Sequence, residues 1–232
     1  MHLNEPAHDV FILGAGFSRA ISSHMPLTDE LGAEAVERAG ITDHPDLREG
    51  RFETWLSRLA EPQPDLDEVR NSENRTTFVK LLEGIHSTIT ERQGLALKND
   101  AYAWLEELVA AWHARQATLI TFNYDCLVES VYTSCGLFDF EGQGTRLSEW
   151  HLSRGVPPPP PAGMYPTGTP RPTARVLKLH GSTNWYWVPG DTTGSTLNSW
   201  RIEDDDPEER RRLLPGRDPF IVPPAALKSP IW

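Results

Sequence analysis

Three short stretches of the chain end in side chains able to do chemistry: VFILGAGFSRA at residues 10–20, TLITFNYDCLVE at 118–129 and VLKLHGSTNWYW at 176–187. The first stops an apolar run at Gly14 and Gly16, a turn that lets backbone approach a diphosphate, with the Ser18 hydroxyl and Arg19 as further anion ligands. Only the first two glycines of the dinucleotide fingerprint are matched: Arg19 stands at the third, and no second strand with an acidic tip follows. The plain alternative is a strand-to-helix turn. The second stretch ends in Asn123, Tyr124 and Asp125. Its amide and carboxylate suit a ribose hydroxyl, a carboxamide or a positioned water, or else cap a helix starting near Cys126. The third delivers His180 ahead of Gly181 and Ser182. An imidazole titrating near neutrality can serve as general base, and Gly181 can let a ligand pass close; a structural histidine is the alternative.

For these residues to meet, their strands must lie side by side in an open parallel sheet, where ligands sit outside the carboxyl ends. Val10–Leu13 reads as a buried parallel strand, and Thr118–Phe122 and Arg175–Leu179 as its partners, with further strands at Asn184–Val188 and Phe220–Val222. Between the first two strands the pattern is helical. Residues 28–40 open on Thr28 as N-cap and stop at Gly40. Three apolar stripes follow: Phe52, Trp55, Leu56 and Leu59; then Phe78, Leu81, Leu82, Ile85 and Ile89; then Trp104, Leu105, Leu108 and Trp112. A short helix runs from Cys126 to Val131. Most of the 20 prolines lie beyond residue 156, including the run Pro157–Pro161, so residues 141–174 read as a long surface excursion.

A length of 232 residues with 38% hydrophobic content suits one domain. The net charge of −11 would repel nucleic acid and anionic membrane, and the acidic EDDDPEE ahead of Arg210–Arg212 reads as a solvated face. Two cysteines, Cys126 and Cys135, cannot build a four-thiolate zinc module. With neither a signal peptide nor an apolar span, the chain reads as soluble and cytoplasmic.

The ordered set GAGFS, TFNYD and LHGS resembles the sirtuin-like NAD-binding fold, and looks most like the bacterial sirtuin-like NADases of antiphage defence. The resemblance implies an α/β fold: a Rossmann-like open parallel sheet, with residues 28–116 as a helical insert and no zinc module. It implies that Gly14, Ala15, Gly16 and Ser18 line the diphosphate site, with Phe17 and Arg19 also binding the cofactor. Asn123 would orient the water or ribose, Asp125 would face the carboxamide, and His180 would act as base beside Gly181 and Ser182. The expected activity is NAD glycohydrolysis to nicotinamide and ADP-ribose, with NAD as substrate and no metal. The alternatives are a module that binds NAD or ADP-ribose without turnover and, less favoured given the two cysteines, a deacylase. Beyond Pro223 and Pro224 the family continues with a helix and a strand on the adenosine side. The resemblance therefore implies either an amino-terminal piece of a larger protein or an adenosine side completed otherwise, with a homo-oligomer or a sensor domain beyond Trp232 as the expected partner.

Overall fold

The computed structural model describes residues 9–41, 52–99, 103–135, 174–191, 193–199 and 207–223. The proline-rich stretch and the KSPIW end lie outside them. The fold is mixed α/β. Strands β1 (Val10–Leu13), β2 (Thr118–Thr121) and β3 (Arg175–Lys178) form a parallel sheet with β2 in the centre. Their register aligns Leu13, Thr121 and Lys178 across one row, so all three chains leave the sheet at the same edge. That register brings the three motifs together.

Helices α1 (Ala15–Ile21), α2 (Thr28–Arg38), α3 (Phe52–Ala60), α4 (Glu68–Asn99) and α5 (Ala103–Ala114) separate β1 from β2. α4 is longer than its apolar stripe, but the stripe is its buried face: Phe78, Leu81, Ile85 and Ile89 are enclosed. α2 and α3 pack against this face. Thr28 is not the cap of α2. It is the first helical residue, and Leu27 stands at the cap, its amide donating to Glu30 Oε2 at 3.1 Å. Trp104, expected within the α5 stripe, is 43% exposed, while Leu105, Val109 and Trp112 face the core.

β1 is not buried on both faces. Phe11 packs on Trp112 of α5 and Leu13 is enclosed, but Val10 is 58% and Ile12 71% exposed. The topology explains this. The two steps β1 to β2 and β2 to β3 run in one direction, and right-handed crossovers then place the connecting helices on a single face.

β4 (Gly181–Trp187) leaves the parallel sheet and pairs antiparallel with β5 (Asn198–Ser199) and β6 (Asp218–Ile221). Only Leu179 and His180 separate it from β3, whereas a parallel crossover needs a dozen residues or more. The remaining elements are α6 (Leu127–Ser134) and α7 (Pro207–Leu213). α7 carries the Arg210–Arg212 run, with the Arg210 guanidinium 5.0 Å from the centre of the Tyr186 ring. No helix among the described residues is long and apolar enough to cross a membrane.

Candidate functional site

Beyond the shared row Leu13–Thr121–Lys178, the first strand turns at Gly14, the second reaches Asn123 two residues later, and the third reaches His180 two residues later. Ala15, Ser18, Asn123, Asp125 and His180 line one cavity of about 170 Å³. The helical segment supplies the opposite wall through Thr28, Leu31, Glu53 and Ile89. These wall residues carry no motif and were missed from sequence, since only the tertiary arrangement brings them to the strand ends.

A directed hydrogen-bond chain organises the polar side. Asn123 Nδ2 donates to the Gly14 carbonyl at 2.9 Å and to Ser18 Oγ at 2.8 Å. Ser18 Oγ in turn donates to Asp125 Oδ2 at 2.6 Å, a charge-assisted bond worth about 1.5–3 kcal/mol. Both amide hydrogens of Asn123 are thereby committed, and its Oδ1 remains as an acceptor. Asp125 Oδ1 accepts from the Leu127 amide at 3.2 Å, so this residue also caps the start of α6. Asn123 does not share the capping; its side chain crosses to the glycine turn instead.

His180 is 9% exposed, with its ring edge-on to Phe122 at 5.2 Å and tilted to Tyr124 at 6.1 Å. Val222 ties both neighbours to β6: its amide donates to the His180 carbonyl at 2.7 Å, and its carbonyl accepts from Tyr124 Oη at 2.7 Å. Burial, with the charge of Glu53, raises the Tyr124 phenol well above its usual value and keeps it a neutral donor.

Beneath the Asn123–Asp125 turn lies a buried ammonium. Lys178 Nζ donates to the Asp125 carbonyl, to the Tyr124 carbonyl at 3.3 Å and to Glu129 Oε1 at 3.0 Å, with the side chains of the ion pair 0% and 3% exposed. Burial opposes its charge, yet the carboxylates of Glu129 and Asp125 help hold it above the ordinary lysine value. Burial pushes the Cys126 thiol up to about 12 despite the pull of Lys178, so it is a packed group rather than a nucleophile. A signal for this pair exists in sequence: Lys178 shares the inward parity of Val176, and Glu129 interrupts an apolar helix face.

Four expected site residues are placed elsewhere. Arg19 turns away from the glycine turn, its guanidinium bonded to Glu30 at 3.0 and 3.1 Å and to the Met25 carbonyl at 2.7 Å. The Phe17 ring packs between Trp104 and Trp112. Ser182 is fully enclosed, donating to Asn184 Oδ1 at 2.7 Å and facing Cys126 Sγ at 3.2 Å. At Gly181 the close approach is made by the protein itself: φ is +79°, and a Cβ would stand 2.1 Å from the Phe220 carbonyl oxygen. Gly181→Ala is therefore expected to destabilise the fold by at least about 2 kcal/mol, read as a lowered denaturant midpoint, because the left-handed backbone and the β4–β6 contact both resist it.

The glycine turn is the opposite case. A Cβ at Gly14 or Gly16 would meet nothing within 4 Å, and neither has a positive φ, so the fold itself does not require glycine there. The space above the turn is open to a ligand. Among the described residues no group of three or more His, Cys, Asp or Glu side chains could hold a metal ion. No protein-family model, curated protein or solved structure matches the chain.

Proposed function

We propose that the chain is a sirtuin-like NAD glycohydrolase domain with a Rossmann-like core, releasing nicotinamide and ADP-ribose. The observation that carries the reading is the convergence of Asn123, Ser18, Asp125 and His180 on one cavity beside an open, uncrowded glycine turn. At about 170 Å³ the cavity is smaller than the roughly 300–1,000 Å³ of whole-ligand pockets, so it suits one end of a dinucleotide. In this reading the nicotinamide riboside occupies the cavity and the diphosphate extends over Gly14 and Gly16.

The chemistry needs little from the protein. The C1′–N1 bond breaks with its electron pair moving to the cationic ring nitrogen, which becomes neutral nicotinamide. Water then adds to the oxocarbenium-like carbon, and its proton passes to His180. The acceptor Oδ1 of Asn123 holds a ribose hydroxyl or that water, and its own orientation is fixed by Gly14 and Ser18. Following the resemblance, the proposal extends to NAD depletion in antiphage defence, in the cytoplasm, with a homo-oligomer or a sensor domain as the regulating partner.

Purified protein incubated with NAD is expected to release nicotinamide. His180→Ala should lower that rate by about 10²–10⁴-fold, the usual contribution of a general base. NAD binding without any nicotinamide over long incubation would replace the hydrolase with a non-catalytic NAD or ADP-ribose module. An unchanged rate in His180→Ala overturns the assignment of the base.

A further inference from the structure

Building on the NAD reading of the cavity, we propose that Glu53 is a substrate-selecting residue that recognises the positive charge of an oxidised nicotinamide ring. Glu53 stands in the first turn of α3, a helix anchored by the buried side chains of Phe52, Trp55 and Leu56. Glu53 lines the cavity together with the strand-end residues, near enough for its charge to act on Tyr124. Among the described residues two acidic side chains, Glu53 and Asp125, line the cavity, and they differ. Asp125 is committed to the Ser18 hydroxyl and the Leu127 amide. The Glu53 carboxylate takes part in no hydrogen bond or ion pair among the described residues; only its main-chain carbonyl is engaged, by Ser57 Oγ at 2.7 Å.

Among the described residues neither lysine nor arginine lines the cavity, and the arginine of the glycine turn, Arg19, is held by Glu30. Among the described residues no cation offsets the negative charge of Glu53, which reaches the Tyr124 side of the cavity, where it adds to burial in opposing ionisation of the phenol. A site with this charge balance favours a cation over a neutral group of the same shape. The oxidised nicotinamide ring is such a cation and the dihydro ring is its neutral counterpart, while ribose and diphosphate are common to both. Discrimination between the two redox forms is then a direct readout of the Glu53 charge.

The test compares binding of NAD, its reduced form and ADP-ribose by calorimetry in a His180→Ala background, in which turnover is slowed, with and without Glu53→Gln. Glu53→Gln is expected to weaken binding of the oxidised form about fivefold, as suits loss of one partly solvated charge pair, and to leave the other two unchanged. Glu53→Asp should retain part of the preference. Because Glu53 is solvent-exposed, the thermal midpoint should hold. Equal effects on all three probes, or none on any, overturn the proposal while leaving the NAD reading standing. A background protein that binds none of the three overturns both.

Discussion

Asn123→Ala is expected to lower nicotinamide release by about 100-fold with little loss of stability, and Asn123→Asp to damage both activity and fold although it is nearly isosteric. The difference follows from who donates. Asn123 Nδ2 gives its two hydrogens to the Gly14 carbonyl and to Ser18 Oγ, while the Ser18 proton is already directed at Asp125. Alanine removes these two bonds at a half-buried position that water can reach, which costs about 1 kcal/mol. Aspartate instead sets an acceptor against the Gly14 carbonyl and a second carboxylate beside Ser18, which has one proton to offer. Like charges then face each other through one hydroxyl, and the turn is pushed off the glycine motif. Denaturant midpoints should rank wild type, Asn123→Ala, Asn123→Asp in falling order, and both variants should be poor catalysts. An alanine variant that cleaves NAD at the wild-type rate sinks the role assigned to this amide.

The convergence behind that ranking was legible in the sequence because it depends on strand register and on turn residues. Three apolar runs, each broken by small or polar groups, become three aligned strand ends, and Ser18, Asn123, Asp125 and His180 arrive together. Side-chain direction was less legible. Arg19 matches an anion ligand by type, but Glu30, one turn into α2, offers a bidentate partner, and a guanidinium favours that fork. Gly181 and Ser182 follow the histidine in the chain, yet β4 takes them inward, because the two-residue link after β3 forces the chain to leave the sheet. The far wall of the cavity was hidden for another reason. Thr28, Leu31, Glu53 and Ile89 belong to helices whose periodicity reports only their packing on one another, not which end of the sheet they meet.

Lys178→Met is expected to cost about 3–5 kcal/mol, because it strands the Glu129 carboxylate at 3% exposure without a counter-charge. Against a total of about 5–15 kcal/mol for a typical domain, such a variant stands near unfolding, and its inactivity alone would teach nothing. The double variant Lys178→Met with Glu129→Leu resolves this. With both charges gone, neither side of the pair leaves an unpartnered ion, and replacing a buried pair by apolar groups is often close to neutral. Most of the lost stability should return in a denaturant titration. Activity should not. The Tyr124 carbonyl keeps the Thr183 amide at 2.9 Å as donor, but the Asp125 carbonyl loses the ammonium that holds it from below. The turn carrying Asn123 and Asp125 is then free to shift, and a displacement of about 1 Å at reacting groups is enough to cost about 100-fold in rate. Recovered stability with nicotinamide release still depressed places Lys178 as the group that positions the turn. Recovery of both would reduce the ion pair to a packing feature of the core.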